Sequence, residues 1–95
     1  MRNYELVFIV APTIEDENVQ AMVDKVDDWI QADDGKVIKV DHWGRRQLAY
    51  PIQKFAEGTY VLLNIQLKPD ALEALERNLK LDVNIIRYLL VRTEE

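Results

Sequence analysis

The sequence predicts an α+β fold, a four-stranded antiparallel sheet with two helices on one face. Three observations lead there. Four stretches are rich in β-branched and apolar residues without helical spacing, two others repeat apolar residues at helical spacing, and the six run in the order β-α-β-β-α-β. With 95 residues, 48% of them hydrophobic, the chain can build one core but not a core plus a deep enclosed active site. Residues 1–95 therefore read as a single domain.

The first strand is "YELVFIV", where Tyr4, Leu6, Phe8 and Val10 share one face and Val7 and Ile9 the other, the two-sided apolarity of a central strand. "APT" ends it, and Thr13 is expected to cap a helix whose first turn, Ile14 to Glu17, is acidic as the helix dipole prefers. Val19, Met22, Val26 and Ile30 form the buried stripe, widened by Val23 and Trp29. Asp33-Asp34-Gly35 stops this helix, with Gly35 expected at the position of positive φ.

A second strand is expected from about Lys36 to Leu48, bent or bulged at Gly44. "PIQKFAEG" reads as a turn or loop, and Pro51 requires that this strand lie at an edge or have ended there. "TYVLLNIQL" is the third strand, with Val61, Leu63, Ile65 and Leu67 on its dry face. Pro69 and Asp70 open a second helix, with Asp70 as cap, Glu73 completing a capping box, and Leu72, Leu75 and Leu79 buried. "NIIRYLLVR" is the fourth strand, with Tyr88 and Leu90 opposed to Arg87, Leu89 and Val91. Two right-handed crossovers joined through a hairpin-like connection make this a ferredoxin-like sandwich. One sheet face stays uncovered, and Val7, Ile9, Leu62 and Leu89 alternate toward it, an apolar patch of the kind that marks a partner surface.

Charge is distributed unevenly along a chain of net charge −5. Residues 1–34 hold two basic side chains against nine acidic ones, whereas residues 35–54 hold five basic ones against Asp41 alone. The basic strip centres on "WGRRQLAYPI". Arg45 and Arg46, adjacent on a strand, point to opposite faces unless Gly44 introduces a bulge. Spacing leaves two readings open: contact with phosphate, which the planar arginine fork suits, or pairing with the acidic first helix on a solvated edge. Trp43 and Tyr50 are open to the same two readings, though such aromatics are more often core or edge packing than base-stacking platforms.

Catalysis finds little support. There is no cysteine and His42 is the sole histidine, which excludes disulfides, thiolate or multi-histidine metal sites and Cys/His nucleophiles, and fits a reducing compartment. Asp24, Asp27 and Asp28 lie on the polar side of the first helix without calcium-loop spacing. No glycine-rich phosphate loop, signal peptide or membrane-spanning run is recognised. An RNA-recognition motif shares the element order, but "EGTYVLLNI" places Leu62 and Asn64 where that module alternates aromatics. An adaptor using its open sheet and a ferredoxin-like enzyme or ligand-binding domain also remain in view.

"WGRRQLAYPIQK" resembles the signature of the sixth protein of the bacterial small ribosomal subunit: Gly44, the basic pair Arg45 and Arg46, Leu48-Ala49-Tyr50, Ile52 and Lys54. "MRNYELVFIVAPT", with Arg2, Tyr4 and Glu5, is similar to that family's opening, and "IIRYLLVR" to its last strand. The resemblance implies a non-enzymatic ribosomal component of the cytoplasm that needs no cofactor, metal, membrane or small-molecule substrate. It further implies binding to small-subunit ribosomal RNA in the central domain, as a pair with the eighteenth small-subunit protein. By position, Arg2, Arg45, Arg46, Lys54 and Arg87 are the expected RNA-side residues. Trp43, Tyr50, Leu62 and Leu89 are those expected to meet the protein partner. The sequence ends at Glu95, so a partner contact made by an extended tail in longer relatives is in doubt here.

Overall fold

The computed structural model describes residues 1–93; the two closing glutamates, and with them any tail contact, lie outside the described residues. Its elements are β1 (Arg2–Val10), α1 (Asp16–Ala32), β2 (Lys36–Ile52), β3 (Phe55–Leu67), α2 (Leu72–Leu81) and β4 (Ile85–Arg92), with a 3-10 turn at Pro69–Ala71 before α2. The sheet order is β2-β3-β1-β4, and every neighbouring pair is antiparallel. Both edges are thus β2 and β4, which is how Pro51 is accommodated within a strand.

The register assigns the faces. Tyr4, Leu6 and Phe8 stand opposite Ile65, Leu63 and Val61, and Phe8 and Leu6 also face Tyr88 and Leu90. This face is packed under Val19, Met22, Val26 and Ile30 of α1 and Leu75 and Leu79 of α2, in one buried cluster. Leu6, Phe8, Ile30 and Leu63 are fully buried, each contributing roughly 1.5–3 kcal/mol relative to exposure.

Helix α1 begins later than the sequence suggested. Thr13 makes no cap: the Ile14 amide donates to the Ala11 carbonyl (3.0 Å), a turn that directs Ile14 onto the core and delays the helix until Asp16. The capping position is Glu15, whose side chain makes no cap bond. At the other end the amides of Gly35 and Asp34 donate to the carbonyls of Ile30 and Gln31, both at 3.0 Å, the Schellman pattern. The positive φ falls on Asp34 (65°), not on Gly35. Gly35 is required for a different reason: a Cβ there would lie 2.7 Å from the Gln66 carbonyl oxygen.

Asp70 does not cap α2 either. Pro69 fixes the backbone of a 3-10 turn, the Ala71 amide donates to the Lys68 carbonyl (2.9 Å), and α2 starts one turn later with Ala71 as its uncapped boundary.

The largest departure is in "PIQKFAEG". The turn takes only two of these residues: β2 continues to Ile52, β3 starts at Phe55, and Gln53 and Lys54 join them. Both carry positive φ (50° and 75°), the backbone sense that matches the right-handed twist of a hairpin. Gly44 does mark a bulge, with φ of 85° and a register shift between His42 and Gly44. The far half of this hairpin folds back over the uncovered sheet face. Leu48, Ile52, Phe55 and Tyr60 pack on Ile9, Ala11 and Ile86, so Ile9 is buried (6% exposed) instead of contributing to an open patch.

Candidate nucleic-acid interface

The hairpin turns the open face into a shallow groove. Val7, Ile9, Leu48, Ile52, Tyr60 and Leu89 help to line it, at about 280 Å³. That is below the usual range for small-molecule sites, and its lining is mainly apolar. Leu89 is 61% exposed on its floor, Leu62 is half-buried opposite Val7, and Tyr50 is 57% exposed on the overhanging strand.

Cations border the groove. Arg87, beside Leu89 on β4, donates through Nη1 to the Tyr50 hydroxyl at 2.6 Å, and its Cζ lies 5.9 Å from the centre of the Tyr50 ring. Trp43 stacks on Tyr60 (centroids 6.2 Å apart, planes at 17°), and Arg46 lies over Trp43 with Cζ at 5.5 Å. Guanidinium and phenol thus both contact the Trp43 indole, contacts that ring stacking and the attraction between cation and ring quadrupole favour. Sequence pattern missed Tyr60, because its partner Trp43 sits on a neighbouring strand at a bulge.

Arg45 goes the other way, as adjacency on a strand demands. Its Nη1 donates to the Pro12 carbonyl (3.3 Å), and its guanidinium stands 3.6 Å from Asp16 and 3.8 Å from Glu57. Pairing with the acidic first helix is therefore realised for Arg45 and not for Arg46. Lys54 projects from the hairpin tip. Arg2 is set apart: it faces Leu67 at the opposite end of β1, roughly 25 Å along the strand from the hairpin end. The structure accordingly groups Arg45, Arg46, Lys54 and Arg87 in one half of the molecule and leaves Arg2 at the other.

The acidic side chains of α1 are solvated helix surface, with Gln20 donating to Asp24 and Gln31 to Asp27, each at 2.9 Å. Among the described residues no three His, Cys, Asp or Glu side chains converge as metal ligands, and no helix is long and apolar enough to cross a membrane. On the helix-covered side Tyr88 donates to Glu76 Oε1 at 2.8 Å. Desolvation, then the hydrogen bond and charge of Glu76, push its phenol up to about 12.

An open sheet with a cation-bordered apolar groove defines a binding module of the ferredoxin-like class. The comparisons specify which one. The family model described as Ribosomal protein S6 matches residues 3–92. The small ribosomal subunit protein bS6 of Clostridioides difficile is 47% identical over 91 residues, spanning 96% of this chain and 98% of that protein. Its counterpart in Moorella thermoacetica is 43% identical over 95 residues, 100% and 97% of the two chains. The crystal structure of 30S ribosomal protein S6 from Thermotoga maritima superposes with a TM-score of 0.90 at 34% identity, covering 97% of this chain and 87% of that one. This chain belongs to the ribosomal protein S6 family. It is a structural component of the small ribosomal subunit, in a family that is not one of enzymes, and membership places it with the ribosome in the cytoplasm.

Proposed function

We propose that the chain acts as one domain that binds small-subunit ribosomal RNA, in the central domain, as half of a heterodimer with the eighteenth small-subunit protein, and that the pair supports subunit assembly. What carries this reading is one sheet face that joins an apolar groove to the exposed cations Arg46 and Arg87, in a chain of net charge −5. A negative molecule is repelled by a polyanion at long range, and few phosphate contacts release few counterions. A basic protein seated on the groove supplies the missing charge. Trp43, Tyr50, Leu62 and Leu89 then meet the protein partner. Arg46, Lys54 and Arg87 border the RNA, Arg45 reaches it from the helix side, and Arg2 reaches it from the far end of the sheet. The function involves no catalytic step, cofactor or small-molecule substrate.

A gel-shift assay on central-domain RNA at physiological salt tests this. The chain alone is expected to bind weakly and the pair tightly. Tight binding without the partner overturns the heterodimer requirement, and no binding with it overturns the RNA reading.

A further inference from the structure

Around the first turn of α1, on the side away from the groove, Asp16, Val19, His42, Gly44, Arg45 and Thr59 line a second pocket of about 180 Å³. At ~30 Å³ per water it has room for a small polyatomic ion. Three kinds of donor meet there. Thr59 is 5% exposed, and its Oγ1 is buried without a hydrogen-bond partner among the described residues, an expensive condition for a hydroxyl. Arg45 stands directly across the ladder from Thr59, on the same sheet face. The 17-residue α1 starts here with no side-chain cap, so the partial positive charge of its N-terminus opens on the pocket.

We infer that this pocket binds a phosphate group, with the Arg45 guanidinium, the Thr59 hydroxyl and the first amides of α1 as donors. The carboxylates beside it are loosely placed. Asp16 and Glu57 stand 3.6 and 3.8 Å from Arg45, beyond the 2.7–2.9 Å of a charge-assisted hydrogen bond, and the Asp16 side chain is 82% exposed and free to turn outward. Arg45 is already oriented by its bond to the Pro12 carbonyl, so a phosphate meets a fork whose ordering cost is partly met. The group can come from an RNA backbone or from free phosphate. The first source rests on the RNA reading above; the site itself does not.

Amide proton–nitrogen spectra of the full chain, titrated with inorganic phosphate at constant ionic strength in chloride, test the site. The amides of Asp16, Glu17 and Thr59 are expected to shift together and saturate. Thr59→Val and Arg45→Ala each weaken binding about tenfold, as loss of a hydrogen bond to a charged group does. Asp16→Asn, on an exposed helix turn and safe for folding, strengthens it about threefold by removing a competing carboxylate. A second arm replaces phosphate with a central-domain RNA fragment plus the partner protein. Movement of the same amides at lower phosphate-group concentration assigns the site to the RNA backbone. Movement with inorganic phosphate alone assigns it to free phosphate and leaves the site standing. Shifts that do not saturate, or that Thr59→Val and Asp16→Asn leave unchanged, overturn the proposal.

Discussion

Arg87 holds Tyr50 twice, donating to its hydroxyl at 2.6 Å and covering its ring from 5.9 Å, and so ties the overhanging half of β2 to β4 across the open face. The two residues are 37 apart in sequence and on opposite edges of the sheet. Gln53 adds a second tie, donating to the Ile86 carbonyl at 3.3 Å.

This tie predicts a measurable coupling. Tyr50→Phe keeps the ring and removes the hydroxyl, whereas Arg87→Met removes charge and donors together. A double-mutant cycle in urea should give a coupling energy of about 0.5–1.5 kcal/mol, the value of a net hydrogen bond. A coupling of zero would mean that the hairpin is held by its apolar contacts alone.

A third tie lies behind the sheet. Asp82, with its side chain only 4% exposed, accepts from Lys25 Nζ at 2.7 Å and from the Asn84 amide at 2.8 Å, joining α1 to the turn that enters β4. Asp82→Ala leaves the half-buried Asn84 amide unpaired and should cost about 1–3 kcal/mol in urea unfolding. Asp82→Asn, which still accepts from Asn84, should cost less. Lys25 is half exposed, but its removal would leave the buried Asp82 carboxylate without its cation.

Tyr88 sets an alkaline limit. Its phenol is raised from the ordinary 10.0 to about 12 by desolvation and by Glu76. Below pH 10 both folded and unfolded chains keep this proton, and the contribution to stability is complete. Above it the unfolded chain loses the proton first, so the contribution falls as pH rises from 10 toward 12. Stability measured across that window should decline more steeply in the native sequence than in Tyr88→Phe. In an ultraviolet titration of tyrosinate, the step belonging to Tyr88 should come late and should be missing from Tyr88→Phe.

The sequence was most readable where burial is strictly periodic. Leu6, Phe8 and Val10 against Val61, Leu63 and Ile65, and the Val19 to Ile30 stripe, each follow from a single period, and they decide the element order and the helix-covered face. What sequence pattern missed has local causes. Gln53-Lys54 lacks the glycine or asparagine that ordinarily announces a turn with two positive φ angles, so the sequence ends the second strand near Leu48 and does not show how far the hairpin extends. Without the hairpin's extension beyond Leu48, Ile9 falls in an open patch that Leu48 and Ile52 in fact cover. Thr13 and Asp70 have capping chemistry, but a turn that packs Ile14 against the core and a proline-led 3-10 turn displace both helix starts. The basic residues were visible as a group; that Arg45 serves the helix side, Arg46 the groove side and Arg2 the distant end depends on bulge and register, which composition does not carry.

The division between Arg45 and Arg46 leads to the last prediction. The two side chains leave opposite faces of β2 and, among the described residues, have different partners: one is held by Pro12, Asp16 and Glu57, the other by Trp43. Under the proposed RNA function each meets a different phosphate. Arg45→Ala and Arg46→Ala should therefore lower the affinity of the heterodimer for central-domain RNA independently, with free-energy losses that add within about 0.5 kcal/mol in the double variant. Each substitution should also flatten the dependence of log affinity on log salt by about 0.9, less if the contacted phosphate lies in a single strand. Both residues are exposed, so thermal unfolding should change little. A double variant no weaker than Arg46→Ala alone would assign Arg45 to holding the start of α1 against the sheet.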